Sequence, residues 1–335
     1  FLPNSIDIDI LGLKSPFNNG NYLYAYLYNH IPGSNEAIFH LFRTTNVNAE
    51  PANVIWEELS IPKRSWISGF DFDPVNPNII YISYGSSSSS TQGEQMVFKI
   101  DYTIPNDPII VNLTGNNLPP NGSYDNSLAF IKGSNGGLLF ATEFGVFYTD
   151  NDLQQNIGNE WQLVGMDLPH AIPHGLEISY ISNTLRVGTY GRGVWEIPLP
   201  CINNVEPLLI TQNTTWDSYM RFDRSVKVGY MSTLTITEDA RIAMPAEAKI
   251  IVEPGGKLIV NGGTITSGCD YPWQGIEVWG NRAASQWSNV NGSYAQGYVV
   301  LDNATIENAV CALNLWKPGD YTQTGGVIHA TGTTF

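Results

Sequence analysis

The feature that most limits the fold of this chain is the near absence of helical periodicity. Apolar residues instead recur in short runs bounded by Gly, Pro, Asn and Ser, as in Tyr22–Tyr28, Ile79–Tyr84 and Leu138–Thr142. Such runs are the signal of short strands joined by turns. A chain of 335 residues with 42% hydrophobic residues is long and apolar enough for two cores. The sequence therefore predicts an all-β protein of two domains.

The first part of the chain repeats a unit of about 50 residues with four short strands, as propeller blades do. Trp56–Pro62 and Trp161–Pro169 both end an apolar strand with an aliphatic residue and Pro, and Leu139–Tyr148 aligns with Arg186–Trp195. One such sheet cannot bury both of its faces alone, so neighbouring units must stack. Residues 1–199 are therefore predicted to form the last three to four blades of a partial β-propeller. The remaining blades are expected upstream of the first residue.

The spacing of the runs shortens in the second part of the chain. Ala248–Thr266 holds three strand-like pieces separated by Gly-Gly and Asn-Gly-Gly. Three very short strands per turn, with Gly or Asn at the corners, are typical of a parallel β-helix. Residues 200–232 are predicted to be a linker, and residues 233–335 the start of a right-handed parallel β-helix that continues beyond the chain.

Particular motifs resemble a known family. Leu185–Ile197 resembles the closing strands of propellers built from bacterial neuraminidase (Asp-box) repeats, which include sialidases and sortilin-like receptors. Phe42–Asn46 followed by Trp56, and Tyr148–Asp152 followed by Trp161, resemble Asp-boxes, in which a buried Trp pins a polar hairpin. Both depart from the family pattern, since they lack its Gly and carry extra residues before the Trp.

The β-helical part resembles pectate-lyase-like helices, and Trp273-Gln-Gly-Ile276 is typical of them. The two resemblances together imply a long secreted or cell-surface protein of the Bacteroidota, exported as cargo of type IX secretion. They imply an extracellular location and an adhesin-like or fibre-like role.

No catalytic constellation is complete in the sequence. A glycoside hydrolase needs two carboxyl groups about 5–9.5 Å apart. Asp71 and Asp73 share one face of a strand, but they precede Pro74, where Asp more commonly caps a turn. The sequence therefore predicts no catalytic residue and a non-enzymatic structural or adhesive module, with the propeller as platform and the β-helix as stiff spacer or assembly element. The alternative is a polysaccharide-active enzyme or carbohydrate-binding protein, with its site on the missing blades or on the helix face.

Candidate binding residues are few. Asp150-Asn-Asp152 offers oxygen ligands for Ca²⁺, although it lacks the Gly and Glu of a calcium loop and is also explained as a solvated hairpin tip. No other cofactor is predicted. Four tryptophans lie near predicted coil corners, where they either stack on sugars or fill the helix core: Trp273, Trp279, Trp287 and Trp316. The first three are the candidate ligand-binding residues.

The net charge limits the classes of partner that the chain can bind, and the cysteines limit the disulfides that it can form. The net charge of −15 argues against nucleic acid and anionic membranes. No run approaches the ~18 apolar residues of a membrane span. We expect extracellular protein or glycan partners, with self-assembly as a further possibility. Cys269 and Cys311 pair if adjacent coils bring them together, and otherwise remain free thiols.

Overall fold

The all-β class that the sequence predicts is confirmed. The computed structural model describes residues 8–16, 19–30, 37–62, 66–85, 95–104, 107–119, 126–156, 160–165, 168–288 and 294–335. Helix within these residues is confined to α1 (Asn151–Asn156) and one 3-10 turn (Pro51–Asn53). The chain divides into two compact units. The first comprises Phe1–Phe130, Gly136–Ile178 and Leu185–Ile197, and the second comprises Ile131–Asn135, Ser179–Thr184 and Pro198–Phe335.

The first unit holds four small sheets in a propeller-like arrangement, which confirms the prediction of three to four blades. Within the described residues, blades 1 to 3 have four strands each and blade 4 has three. Blade 1 is β1 (Ile8–Lys14), β2 (Leu23–His30), β3 (Ala37–Thr44) and β4 (Glu57–Leu59); blade 2 is β5 (Ile67–Phe72), β6 (Ile79–Tyr84), β7 (Val97–Asp101) and β8 (Ile109–Asn112); blade 3 is β9 (Ser127–Phe130), β10 (Leu138–Thr142), β11 (Gly145–Thr149) and β12 (Gln162–Val164); blade 4 is β13 (Pro173–Ser179), β14 (Thr184–Thr189) and β15 (Gly193–Pro198).

The blades bury their central strands because neighbouring sheets cover them. Every residue of β10 is buried. Blade 3 packs on blade 2 through β9, which lies against β5 and β6. At this contact Phe130 N donates to Asp71 Oδ2 over 2.7 Å, and the ring centroids of Tyr81 and Phe130 are 5.0 Å apart. Stacking thus supplies the second layer that a single sheet lacks.

The second unit contains a parallel β-helix built from three sheets. Sheet 1 has the order β16-β19-β22-β25-β28, sheet 2 β17-β20-β23-β26-β31 and sheet 3 β18-β21-β24-β27, and β29 and β30 form a separate hairpin. The strands are β16 (Asn204–Ile210), β17 (Thr214–Trp216), β18 (Met220–Arg221), β19 (Arg224–Val228), β20 (Thr233–Ile236), β21 (Arg241–Met244), β22 (Lys249–Val252), β23 (Lys257–Asn261), β24 (Thr264–Ser267), β25 (Gly275–Val278), β26 (Tyr298–Asp302), β27 (Thr305–Ile306), β28 (Leu313–Asn314), β29 (Trp316–Lys317), β30 (Asp320–Thr324) and β31 (Val327–Thr331).

The helix core consists of aliphatic side chains stacked in register from coil to coil. Each sheet alternates inward and outward residues, so pairing in register places like beside like. The inward rows include Val226, Ile250, Ile276 and Leu313 in sheet 1, Leu234, Leu258, Val299 and Ile328 in sheet 2, and Ile242, Ile265 and Ile306 in sheet 3.

The first coil begins inside the stretch that the sequence analysis assigned to the linker at 200–232. Residues 204–228 carry β16 to β19, and Leu208 already pairs in parallel with Val226. The corners of this coil lack the Gly-Gly pairs that mark the later ones. The helix is therefore one coil longer than the sequence pattern indicates.

The cysteine pairing also differs from both alternatives left open for Cys269. Cys201 and Cys269 form a disulfide with Cα atoms 5.6 Å apart, while Cys311 remains a thiol. The stacking register explains why Cys269 and Cys311 do not meet. Cys311 lies over Gly275, where a Cβ atom would approach its carbonyl oxygen to 1.7 Å.

A buried arginine joins the same two segments that the disulfide links. The Arg221 guanidinium donates to the carbonyl oxygens of Gly268, Leu199 and Pro200, the last two over 3.3 and 3.0 Å. It therefore ties the residues before Cys201 to the residue before Cys269. The disulfide and Arg221 together hold the chain that enters the first coil.

Candidate functional site

Two consecutive coils carry long insertions at the same corner of the β-helix. In the third coil the passage from sheet 1 to sheet 2 takes only the residues between Val252 and Lys257. The next two coils make the same passage through residues 279–297 and 315–326, which we call insertion I and insertion II. Residues 289–293 of insertion I lie outside the described residues. Insertions into a repeat commonly gather on one side, and that side is often the binding face.

The two insertions are hydrogen-bonded to each other. Gly280 N donates to Gln323 O over 3.3 Å, Arg282 N donates to Thr322 O over 3.2 Å, and Gln286 Nε2 donates to Gly325 O over 3.2 Å. Insertion II is itself ordered as the β29–β30 hairpin. The two segments therefore form one continuous surface rather than two separate loops.

A buried glutamine organises insertion I from within. Gln296 is fully buried, and its Oε1 accepts from Asn281 N over 2.5 Å. Its Nε2 donates to the carbonyls of Asn281 and Ala284 over 2.9 and 3.0 Å. The base of the insertion is closed by Gly297 N, which donates to Trp279 O over 2.8 Å. The sequence analysis did not identify Gln296, because a lone Gln in a polar loop carries no pattern.

The three candidate tryptophans have different positions. Trp273 is completely buried and its indole N–H donates to Glu307 O over 3.0 Å, so it belongs to the helix core. Trp279 is half-buried at the start of insertion I, and Trp287 further along is 85% exposed. Insertion II adds two exposed rings. Trp316, the fourth tryptophan expected near a coil corner, is 42% exposed, and Tyr321, which no sequence pattern indicated, is 76% exposed.

Trp279 lies among charged side chains of the outer face of sheet 1. Its indole N–H donates to Glu277 Oε2 over 2.9 Å, and Lys249 Nζ contacts Glu277 Oε1 at 2.7 Å. The ammonium groups of Lys317 and Lys227 are 4.7 and 5.7 Å from the centroid of the Trp279 ring, within cation–π range. The ring and its orientation are thus fixed by neighbours from three strands.

A second aromatic group lies on the sheet 2 side of the corner. The rings of Tyr294 and Tyr298 are stacked with centroids 4.0 Å apart, and His329 meets Tyr298 edge-on at 5.5 Å. Lys257 Nζ is 5.2 Å from the centroid of Tyr298. Burial, and then the hydrogen bond with Tyr294, raises the pKa of the Tyr298 phenol.

The hairpin tip of insertion II is ordered by Asp320. Its Oδ1 accepts from Thr322 N and Oγ1 over 3.1 and 2.6 Å, and its Oδ2 accepts from Gln323 Nε2 over 2.8 Å. These hydrogen bonds, with the Thr322 side chain foremost, hold the pKa of the Asp320 carboxyl below its usual range. Asp320 therefore stabilises the β29–β30 hairpin, whose first strand consists of Trp316 and Lys317.

The calcium candidates of the propeller have structural contacts. Asp150 is buried, accepts from Tyr148 Oη over 2.9 Å, and accepts from Leu153 N over 2.9 Å at the start of α1. The segment is thus the beginning of a short helix, not the solvated hairpin tip that we expected. Asp152 lies in the first turn of that helix. Over the part of the chain that is described, no three or more His, Cys, Asp or Glu side chains form a group that could hold a metal ion.

The two Asp-box candidates differ in their tryptophans. Trp161 is buried and its indole N–H donates to Leu113 O over 2.8 Å. Trp56 is 42% exposed. Only the second candidate therefore has the buried Trp of the family pattern.

The propeller unit contains a pocket of about 180 Å³ beside β4. Arg43 lines this pocket and is held by two neighbouring side chains. Its Nε donates to Glu57 Oε1 over 2.6 Å, and its Nη1 donates to Asn78 Oδ1 over 2.9 Å. The guanidinium also lies 5.7 Å from the Tyr102 ring centroid. Burial raises the pKa of the neighbouring Tyr24 to about 12. These contacts give Arg43 a structural role in blade 1.

No helix among the described residues has the length and apolar character needed to cross a membrane. Comparison with known proteins finds no protein-family model that matches the chain and no curated protein with a significant match.

Proposed function

We propose that this chain is a non-enzymatic structural and adhesive module of a large secreted or cell-surface protein. The β-helix acts as a stiff spacer, and insertions I and II form its contact surface for an extracellular glycan. The observation that carries the proposal is the pairing of two insertions at one corner, which together expose Trp287, Trp316 and Tyr321.

The stiffness follows from the way the coils are joined. Parallel ladders join the first four coils in all three sheets and continue to the fifth in sheets 1 and 2, and the inward residues form one continuous, mostly aliphatic core. Each coil therefore contacts its neighbours along its whole length, as in other solenoids. A scaffold of this kind keeps a surface group at a fixed position.

The exposed rings favour a binding role because they are large and belong to two insertions that are hydrogen-bonded to each other. Leaving an aromatic side chain in water forgoes about 1.5–3 kcal/mol of burial free energy. Exposed aromatics gathered on one surface commonly mark a binding site. Tryptophan and tyrosine supply a rigid, flat apolar face together with a polar edge, and this matches the apolar faces and hydroxyl rims of sugar rings.

The test is a glycan-binding screen with the intact chain, followed by titration of the glycans that bind. We expect Trp287→Ala and Trp316→Ala each to weaken binding about tenfold or more, since buried aromatic contacts are common interface hot spots. Trp56→Ala is the matched control, because Trp56 in the propeller has the same 42% exposure as Trp316.

Two results would contradict the proposal. One is equal binding by the wild type and both insertion variants. The other is the release of oligosaccharide products during prolonged incubation with the bound glycan, which would make the chain an enzyme. Mass spectrometry of the supernatant would detect such oligosaccharide products.

A further inference from the structure

The lysines of the β-helix are concentrated at the corner that carries the insertions. The chain has a net charge of −15 and only eight lysines. The four that belong to the β-helix all have their ammonium groups beside Trp279, Glu277 or Tyr298: Lys227, Lys249, Lys257 and Lys317. An acidic protein thus gathers positive charge around Trp279 and Tyr298, at the corner that carries the two insertions.

Two of these lysines form salt bridges and two do not. Lys227 pairs with Glu253 at 2.6 Å, and Lys249 pairs with Glu277 at 2.7 Å. Within the described residues neither Lys257 nor Lys317 forms a salt bridge, and each lies over an aromatic ring instead. Asp320 is the carboxylate opposite Lys317 in the hairpin, and the two charges attract each other without a contact within salt-bridge distance.

The two unpaired ammonium groups belong to one surface. Lys317 lies over Trp279, Lys257 lies over Tyr298, and the backbone hydrogen bond from Gly297 N to Trp279 O joins these two aromatic positions. Each ring holds an ammonium group over it at this corner, where the ammonium group can contact an anion.

We propose that this corner recognises a glycan that carries sulfate or phosphate ester groups, with Lys257 and Lys317 contacting the ester oxygens. The inference rests on the proposed function and adds the chemical class of the ligand. Lysine binds phosphate groups as a compact point charge with three rotatable donors, and a sulfate or phosphate ester presents three oxygens to such a charge where a carboxylate presents two. Both unpaired cations that flank the rings are lysines.

The acidity of the rest of the chain does not prevent such binding. At physiological ionic strength the Debye length is about 8 Å, so charges farther away than this are largely screened. Contacts between an ammonium group and an ester oxygen are shorter than that distance and persist. Sulfated or phosphorylated glycans should therefore bind at about 0.15 M salt and weaken at about 1 M.

The experiment compares one polysaccharide backbone in several chemical forms: dextran, dextran sulfate, phosphorylated dextran and carboxymethyl dextran. The intact chain is titrated with each at matched size and substitution. We expect dextran sulfate or phosphorylated dextran to bind at least about tenfold more tightly than the carboxymethyl form, and the two ester arms identify which group is preferred. We expect Lys257→Ala and Lys317→Ala each to reduce that affinity about tenfold, the scale of one charge-assisted contact.

Lys99→Ala is the matched control, because Lys99 in the propeller lies over the Tyr81 ring at 5.9 Å in a similar arrangement. If Lys99→Ala weakens binding as much as Lys317→Ala does, the attraction is diffuse and the inference is wrong. Equal binding of the ester and carboxymethyl forms would also overturn it.

If neutral and charged dextrans bind alike and Trp316→Ala weakens both, this inference fails while the proposed function stands. If Trp287→Ala and Trp316→Ala leave the binding of every glycan unchanged, the proposed function fails.

Discussion

The propeller unit and the β-helix unit both bury an apolar core, but they build it from different side chains. One core of the propeller is rich in rings, including Tyr24, Phe72, Tyr84, Phe98 and Tyr102. The helix core is almost entirely Val, Ile, Leu and Ala, with Trp216, Phe222 and Trp273 as its aromatic members. Stacked sheets meet about 10 Å apart, whereas successive coils repeat every 4.7–4.9 Å. Rings fill the space between the faces of two blades, whereas in the helix each inward position stacks on the same position of the next coil, which suits branched aliphatic side chains.

The two units also differ in how far apart in sequence the paired strands lie. Blade strands pair with the next strand through short connections, as β10 and β11 do. Helix strands pair only after a full coil, as Leu234 does with Leu258. Every helix corner is therefore stacked on another corner, and a corner residue is restricted by backbone from a neighbouring coil. The hairpin tip of blade 4 at Gly191 does not meet this restriction, since nothing lies within 4 Å of its Cβ position.

The largest effect is expected from adding one methyl group at a stacked corner. Gly275 has φ +99° and its Cβ position is 1.7 Å from Cys311 O, whereas Gly191 has φ +72° with nothing within 4 Å. Gly275→Ala should lower the free energy of unfolding by about 4 kcal/mol or more, because strain and steric overlap add. Gly191→Ala should cost about 1–2 kcal/mol, the cost of a left-handed conformation alone. Urea denaturation followed by circular dichroism measures both, and equal losses would contradict the difference that we draw between corners and hairpin tips.

A smaller effect is expected from removing the disulfide of the helix unit. Cys201→Ser combined with Cys269→Ser should reduce the free energy of unfolding by about 3 kcal/mol, since the bridge closes a long loop. Cys311→Ser is the control and should change it by less than about 0.5 kcal/mol. Differential scanning calorimetry with and without reductant should show one transition moving to lower temperature. A shift of the propeller transition by the same amount would show that the bridge does not act on the helix unit alone.

The smallest effect compares one buried indole in each unit. Trp161 and Trp273 each donate an indole N–H to a backbone carbonyl, over 2.8 and 3.0 Å. Replacing either by Phe removes the donor and leaves a buried carbonyl without that partner, at a cost of about 1–3 kcal/mol. Trp56→Phe should be within about 0.5 kcal/mol of the wild type, because Trp56 is exposed. Equilibrium unfolding of the three variants checks this, and a loss at Trp161 no larger than at Trp56 would remove the distinction between the two Asp-box candidates.

Much of the architecture could be predicted because both units repeat a local pattern. In the sequence, the blades are marked by strands that end with an aliphatic residue and Pro, and the later coils are marked by Gly-Gly pairs at their corners. The first coil was missed since β16 contains Pro207 and its corners lack the Gly-Gly pairs. The bridge between Cys201 and Cys269 could not be predicted, because pairing depends on which corners stack and not on spacing along the chain.

The candidate site could be predicted only in part. Trp273, Trp279 and Trp287 are similar in sequence, but the stacking register buries the first and exposes the third. Trp316 was expected near a coil corner, but the hairpin that carries Trp316 and Lys317 was not predicted, because it leaves the coil pattern. Their proximity to Trp279 arises from a neighbouring coil, which no local pattern records.

The closed base of insertion I has a consequence for how such a chain can change. Gly297 N donates to Trp279 O, so the ladder resumes directly after the insertion, whatever the length of the segment between them. Doubling the length of a flexible loop costs only about 0.6 kcal/mol. The corner is therefore a position at which loops of new sequence can be exchanged without rebuilding the coils, in evolution as well as in the laboratory. One stiff scaffold could in this way acquire a new ligand preference by replacing residues 280–296 alone.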